Sequence, residues 1–579
     1  MFFPFDLVIR NGVVIDGSGD EPFVGDVAVN NGKIAAVGKV SGHGREEIDA
    51  KGQIVTPGFV DVHTHYDGQA TWSNRLSPSS FHGVTTAVMG NCGVGFAPCR
   101  PDDHAIMVRL MEGVEDIPGV VLTEGLKWNW ETFPQFLDAI DETPHDMDFA
   151  VQAPHGPIRV YVMGERGADR EPATAAEIAQ MAQIAKEAVE AGAIGFSTSR
   201  TMNHRTSDGK PTPTLTAEAD ELVGIANGLG EARKGVLQVV TDFKDKRAEI
   251  AMFRRMMSES GRPLSVSVVQ SDTHPDAWRW ILDQVEGAAN DGLEMRAQVC
   301  GRPVGLLFGL ELTHNPFSAH EMWKEIAHLP VAGKVARLRD PEFAAKLVAG
   351  KPDPSDRFGR LYLYNFDKMW ALGDPPDYEP KLENAIGPRA RAMGKEPAAL
   401  ALEIMLERGG KGILYYPSLN YAGYSLDPSY EMLQRPRSIL GLSDGGAHVG
   451  TICDASFPTS MLTFWTRDRV RGPKLSLPFV IRAHTRETAR AVGLNDRGLL
   501  RPGYRADINV IDYDNLTLRA PEVAYDLPAG GRRLIQRAEG YTATIVAGEV
   551  TYRNGEATGK LPGRLVRGAQ SAPMLQAAE

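Results

Sequence analysis

Two histidines one residue apart close the segment Gly58-Phe-Val-Asp-Val-His-Thr-His65, and a cysteine sits in Gly90-Asn-Cys-Gly-Val-Gly95. The apolar, β-branched residues over 54–62 read as one buried strand, interrupted only by the Pro57-Gly58 step. Side chains two apart on a strand share a face, so His63 and His65 at its carboxyl end can aim both imidazoles at one point. A second apolar run over 85–89 ends just before Cys92, which places a thiol at the end of the next strand. Far downstream, Asp444 follows the buried run Ser438-Ile-Leu-Gly-Leu-Ser443 and precedes Gly445-Gly446, which let the backbone turn sharply. Singly, each residue has an ordinary reading: hydrogen-bonded loop histidines, a buried structural thiol, a turn-capping aspartate. Together, the four are expected to gather on one metal ion.

These segments, with Gly83-Val-Thr-Thr86 and Gly90-Asn-Cys-Gly-Val-Gly-Phe-Ala-Pro98, resemble the amidohydrolase superfamily and, within it, the N-acyl-D-amino-acid deacylases (D-aminoacylases). Further matching pieces are Glu190-Ala-Gly-Ala-Ile-Gly-Phe-Ser-Thr198, Gly441-Leu-Ser-Asp-Gly-Gly-Ala-His448 and Asp496-Arg-Gly-Leu-Leu-Arg-Pro-Gly-Tyr-Arg-Ala-Asp507, so the resemblance runs from near residue 5 to near 555. Cys92 is the discriminating feature, since hydantoinases and dihydroorotases share the His-x-His but bridge two metals with a carboxylated lysine. The resemblance implies a (β/α)8 TIM-type barrel beside a small β-sandwich, and a zinc-dependent hydrolysis. In that chemistry Asp444 takes a proton from water as general base and returns it to the leaving nitrogen as acid. A thiolate at Cys92 suits zinc, although another divalent metal fits the same ligands.

Two departures from the family pattern bear on function. The resemblance implies a histidine at the end of the fifth strand and another at the sixth, but the candidate strands carry Gln238 and Gln270 there, and an amide oxygen is a poor zinc ligand beside imidazole. His274 comes four residues late, and His155 and His204 are the nearer substitutes. One zinc on His63, His65, Cys92 and Asp444 is therefore expected, with the second position weak or empty. The family also clamps the substrate carboxylate with an arginine shortly after the catalytic aspartate, yet 447–457 contains none. Arg200 and Arg205 could replace it. The expected substrate-binding set is His155, Arg200, His204, Gln238 and Gln270.

The expected reaction is hydrolysis of a linear amide C–N bond in an N-acyl-D-amino acid or related N-acyl compound. Two alternatives are a cyclic amide or imide hydrolase and a non-catalytic binding protein that kept the fold.

Composition is compatible with a large soluble enzyme: 579 residues, 42% hydrophobic, formal charge −12 without a basic run, which argues against nucleic acid or an anionic membrane as partner. No apolar run is long enough to span a bilayer. Cys92, Cys99, Cys300 and Cys453 are too few for a disulfide framework, and Met1-Phe-Phe-Pro-Phe-Asp6 lacks the features of a signal peptide, so a cytoplasmic location is expected. A small-molecule partner is implied; interface and core cannot be separated from sequence, so a homo-oligomer stays open.

Asn11-Gly12, Asn31-Gly32 and Asn554-Gly555 read as hairpin turns near the chain ends. A β-sandwich is expected from residues 1–55 and 496–560 jointly, enclosing a barrel over 56–495, with residues 561–579 as a loosely packed tail. Thr174-x-x-Glu177 opens a helix whose apolar positions Ile178, Met181, Ile184, Ala185 and Val189 recur at helical spacing, and Gly192 ends it. Buried strands are expected at 148–152, 193–197, 236–240, 264–269, 294–299, 412–416 and 438–442, and their alternation with helices favours a closed parallel barrel. The segment near 305–400, rich in proline (Pro352, Pro354, Pro375, Pro376, Pro380), is too long for a plain connection and suggests an inserted subdomain.

Overall fold

The computed structural model describes residues 4–352, 356 and 358–574; Pro354 of the proline-rich stretch lies outside the described residues. Eight parallel strands lie side by side in chain order: β1 (Phe59–Asp61), β2 (Val84–Met89), β3 (Asp148–Pro154), β4 (Gly195–Arg200), β5 (Val236–Thr241), β6 (Leu264–Ser267), β7 (Met295–Val299) and β8 (Ser438–Leu440). Helices alternate with them, among them Ala175–Ala191, which opens on the Thr174–Glu177 capping box and ends at Gly192 with φ +122°. The two outermost strands meet just beyond their carboxyl ends. Thr64 bridges Gly445, the Asp444 N–H donates to the His63 carbonyl at 3.1 Å, and the His65 N–H donates to the Gly445 carbonyl at 2.7 Å. The result is a (β/α)8-type barrel whose seam lies in the loops bearing the histidines and the aspartate.

The apolar run over 54–62, expected to be one strand, is divided between two sheets. Ile54–Pro57 pairs antiparallel with Ile508–Ile511, whereas β1 enters the barrel. Gly58 lies at the division because a Cβ there would stand 2.1 Å from Thr85 Oγ1. Strands from both chain ends form a nine-stranded mixed sheet around a core that includes Leu7, Val27, Val55, Ile508, Val510 and Ile545. Asn31-Gly32 turns between Phe23–Asn30 and Lys33–Gly38, and Asn554-Gly555 between Glu549–Arg553 and Glu556–Ala557, with positive φ at all four residues. Asn11-Gly12 does not turn the chain. Phe5–Val14 is a single strand, and its register shift between Ile9 and Gly12 makes Asn11 (φ +56°) part of a bulge. Neighbouring strands pair with it on both sides, so the local preference for positive φ is absorbed without reversing direction.

Between β7 and β8 the chain builds a small antiparallel sheet from Val304–Phe308, Trp370–Ala371 and Leu414–Leu419, with a separate apolar core containing Phe308, Trp323, Leu347, Leu402 and Tyr416. The expected barrel strand at 412–416 therefore belongs elsewhere: it runs antiparallel to Val304–Phe308. Within the stretch expected to be a loose tail, residues 563–567 are packed against the barrel. Gly563 bridges His145, Leu565 bridges Phe149, Leu565 and Val566 are buried, and Arg567 reaches Asp138 at 2.7 Å.

The charged residues of the 496–507 motif tie the barrel to the nine-stranded sheet. Buried Arg497 donates from Nη1 to Asp148 Oδ2 at 2.8 Å and to Thr86 Oγ1 at 2.9 Å, and Arg505 donates to Asp148 Oδ1 at 2.8 Å. Asp148 begins β3 at the end of the barrel opposite the seam and is fully buried. Removing one member of a buried pair leaves an uncompensated charge. Arg497→Met should cost about 3 kcal/mol in urea denaturation; a loss below about 1 kcal/mol would contradict this role.

Candidate metal centre

Cys92 follows β2 in a tight turn that needs small neighbours. Gly90 (φ +76°) passes so close to β3 that a Cβ would lie 2.2 Å from the Gln152 carbonyl oxygen, and Gly93 donates its N–H to Ser197 Oγ at 2.9 Å. Cys92 itself has φ +57°, and its N–H donates to Gln238 Oε1 at 3.1 Å. Leu442, Asp444 and His448 in the loop after β8 are likewise left-handed, with φ +61°, +50° and +49°. Non-glycine residues adopt this conformation at a cost and cluster at sites the surrounding structure over-determines.

The turns bring the side chains together. The ligand atoms of His63, His65 and Cys92 all lie within 4.8 Å of one another. His63 Nε2 is 3.2 Å from Cys92 Sγ and 3.4 Å from Asp444 Oδ1; His65 Nε2 is 3.6 Å from the same carboxylate oxygen. Both imidazoles are fixed from behind. His63 Nδ1 lies 2.6 Å from Gln298 Oε1, and the Gln298 amide is oriented by its donation from Nε2 to Ser265 Oγ at 3.0 Å. The oxygen of Gln298 is therefore the acceptor, His63 Nδ1 carries the proton, and Nε2 turns a lone pair toward the centre. His65 Nδ1 faces Glu115 Oε1 at 3.1 Å, close enough for an ion pair though poorly aligned as a hydrogen bond, and both residues are buried.

Burial would push the Cys92 thiol up, but His63 and His65 outweigh it and hold the thiol below its usual value. Asp444 is treated the same way: burial raises it, yet His65 and His63 hold its carboxyl well below the carboxylate range. Against burial, Cys92 and Asp444 raise His63 to about 8, and Glu115 and Asp444 raise His65 well above its ordinary value. Buried anionic donors thus concentrate demand for positive charge at one point. Two imidazoles, a thiolate and a carboxylate make a four-donor set that fits zinc.

The remaining candidates separate by the facing of their strands. Gln238 is paired with Ser197, and both side chains serve the Cys92 turn from inside the barrel; Gln238 Nε2 is buried without a partner. His204 also reaches the mouth, where its Nδ1 lies 2.9 Å from Ser199 Oγ and burial lowers it to about 4 despite Glu115 nearby. His155 and Arg200 do not belong to the site. They engage groups outside the barrel, alternating with Ser197 and Ser199: His155 contacts Thr198 Oγ1 and Glu221 Oε1, each at 2.8 Å, and Arg200 pairs with Glu249 at 2.9 Å. Gln270 is also excluded, because its side chain ties the Pro275 carbonyl to the Ala422 N–H. His274 and Arg205 are exposed.

Sequence motifs missed Glu115 and Gln298. Glu115 ends the helix His104–Glu115, whose buried residues are Met107, Leu110, Met111, Val114 and Glu115. An acid on an otherwise apolar helical stripe was the available signal. Gln298 shares β7 with another polar residue, Arg296, and reaches His63 across 235 residues of sequence, which no local pattern reports.

A model of the amidohydrolase family matches residues 46–552. An uncharacterized protein of Mycobacterium tuberculosis (strain ATCC 25618 / H37Rv) is 26% identical over 618 residues, covering 99% of this chain and 96% of its own. The N-acyl-D-aspartate deacylase of Alcaligenes xylosoxydans xylosoxydans is 26% identical over 582 residues, covering 99% and 97%. A solved D-aminoacylase structure, described for the functional role of its binuclear metal centre with one-metal activation and second-metal attenuation, superposes with TM-score 0.64 at 24% identity over 98% of this chain and all of that one. At that identity the superposition establishes the fold.

The outward-facing network around His155 yields a pH test. Burial raises Glu221, but hydrogen bonds from His155 and Arg159 outweigh it and bring its pKa to about 2, and Arg159 Nε lies 2.8 Å away. His155 is itself lowered by burial, against the hydrogen bond and charge of Glu221. Because the folded pKa lies below the unfolded one, the stabilisation is complete above about 4.5 and lost as pH falls toward about 2. Glu221→Gln should lower stability at pH 7 and flatten its decline between pH 5 and 2, as read by thermal melts; parallel profiles for the two proteins would refute the pairing.

Proposed function

The chain belongs to the amidohydrolase family, and on that footing we propose that it hydrolyses a linear amide C–N bond of an N-acyl compound, N-acyl-D-amino acids and their derivatives being the first class to test. The observation that carries this reading is the convergence of His63 Nε2, His65 Nε2, Cys92 Sγ and an Asp444 oxygen on one buried point at the carboxyl ends of β1, β2 and β8. Barrel enzymes place their chemistry at that end. The likeness to an N-acyl-D-aspartate deacylase over nearly the whole chain supports the substrate class.

A divalent ion held by these four residues would polarise the amide carbonyl and lower the pKa of a water. The chain's own groups do the rest. Gln298 and Glu115 hold the two imidazoles with Nε2 toward the centre. Asp444, kept as a carboxylate by His65 and His63, accepts the proton of the attacking water and passes it to the leaving nitrogen. Burial of His63, His65 and Cys92 keeps them from bulk water and strengthens their interactions. Gln238, a neutral amide already bonded to the Cys92 backbone, favours a single ion, preferably zinc. None of the eight barrel strands carries a lysine, which weighs against a carboxylated-lysine bridge and the cyclic-amide alternative. Cys92, Cys99, Cys300 and Cys453 are all free, which supports a reducing compartment such as the cytoplasm. No helix among the described residues is long and apolar enough to cross a membrane.

Elemental analysis of protein purified without added metal should give about one equivalent per chain, lost in Cys92→Ala. Two equivalents would mean further ligands; none after reconstitution with zinc would favour a non-catalytic binding protein. Asp444→Asn should abolish release of the acyl group from N-acyl substrates while the melting temperature is retained; surviving activity would remove Asp444 as the base. Glu115→Gln, read by chelator competition, should weaken metal binding about 10- to 100-fold. Unchanged affinity would show that His65 does not depend on Glu115.

A further inference from the structure

Glu115 is held against His65 by its backbone. The residue is only 1% exposed, both its carboxylate oxygens are buried without a hydrogen-bond partner, and the contact with His65 Nδ1 at 3.1 Å lies off the hydrogen-bonding direction. A buried acid without hydrogen bonds gains by turning toward water, so its place depends on the main chain that carries it. That main chain is pinned at the next residue. Asp116 leaves the helix His104–Glu115 with φ +53°, and its Oδ2 accepts from Thr451 Oγ1 at 2.5 Å, Thr313 Oγ1 at 2.8 Å and the Gly450 N–H at 3.2 Å. Beside it, the Val449 N–H donates to the Glu115 carbonyl at 3.1 Å.

Two other parts of the chain meet on that one carboxylate oxygen. Gly450 and Thr451 continue the loop that carries Asp444, in which the Ala447 N–H closes back on the Asp444 carbonyl at 2.9 Å. Thr313 and Leu307 belong to the chain between β7 and β8, and their N–H groups donate to the Gly450 and Thr451 carbonyls at 3.2 and 2.8 Å. The approach is close enough that a Cβ on Gly450 would stand 2.2 Å from Thr313 Oγ1 and 2.9 Å from Asp116 Oδ2. Hydrogen bonds to an ionised acceptor are about twice as strong as neutral ones, so three of them on Asp116 make a firm anchor. Resting on the reading of His63, His65, Cys92 and Asp444 as a metal centre, we propose that Asp116 is a positioning residue for that centre. By receiving Thr451, Gly450 and Thr313 on one oxygen it sets the end of the helix so that Glu115 meets His65. It thereby links the docking of the chain between β7 and β8 to the affinity for metal, while touching neither metal nor substrate itself.

The test is zinc affinity of the full chain, read by competition with a chromogenic chelator and arranged as a double-mutant cycle with Glu115→Gln. Asp116→Ala should weaken zinc about ten-fold, the lower end of what a residue that orients a metal ligand contributes. Asp116→Asn keeps an acceptor oxygen and should return affinity to within about three-fold of the unaltered protein, and Thr313→Val, which deletes one of the three donors at nearly constant shape, should cost about as much. In the Glu115→Gln background, Asp116→Ala should change affinity by less than about two-fold, because residues that act through one another are not additive. A merely structural loosening would weaken zinc equally in both backgrounds and would overturn the inference, as would an asparagine variant no better than alanine. Should Asp116→Ala fail to fold, Thr313→Val carried through the same cycle decides in its place, and additive losses again overturn the inference. Absence of zinc binding in the unaltered protein would remove the metal centre and the inference together. Affinity weakened by Glu115→Gln but indifferent to Asp116 would keep the centre and remove the inference alone.

Discussion

The structure depends on how the barrel closes. Strands β8 and β1 meet through the backbone of 61–65 and 443–445, where the Asp444 N–H donates to the His63 carbonyl, the His65 N–H to the Gly445 carbonyl, and Ser443 Oγ to His63 O at 3.1 Å. The bonds that seal the barrel are the bonds that set the spacing of three of the four converging side chains. Gly445 is required by the same closure, since a Cβ there would come within 2.4 Å of Ser79 Oγ. A site built on the seam inherits the rigidity of the scaffold, which is what a preorganised donor set needs.

Stability and chemistry sit at opposite ends of that barrel. At the amino end, Asp148 is shared by Arg497 and Arg505, so the nine-stranded sheet is fastened to β3 by ion pairs. At the carboxyl end, buried Cys92, His63 and His65 gather with the partly exposed Asp444, and the orienting partners Gln298 and Glu115 come from β7 and from the helix after β2. Charges buried at the amino end find their partners within the chain, whereas those at the carboxyl end converge on a point that calls for a cation.

What the sequence made legible follows from the range of each signal. His63 and His65 were readable because strand alternation is local and needs no partner, and Asn31-Gly32 because a hairpin turn is a two-residue event. Gln238 faces inward and Arg200 outward because of strand parity, which becomes visible only once the register against the neighbouring strand is known. The run at 412–416 carries every mark of a buried strand, but the choice of sheet was made by Val304–Phe308, more than a hundred residues away. Asn11-Gly12 shows the converse: a correct local preference for positive φ, satisfied by a bulge because strands on both sides keep Phe5–Val14 extended.

Charge counting bears on how many ions the four side chains would hold. With His63 and His65 presenting neutral Nε2 atoms, Cys92 and Asp444 contribute two negative charges, which one divalent ion balances. A second ion would need further anions or imidazoles, yet the position facing Cys92 from β5 is filled by Gln238, whose oxygen is already committed to the Cys92 backbone.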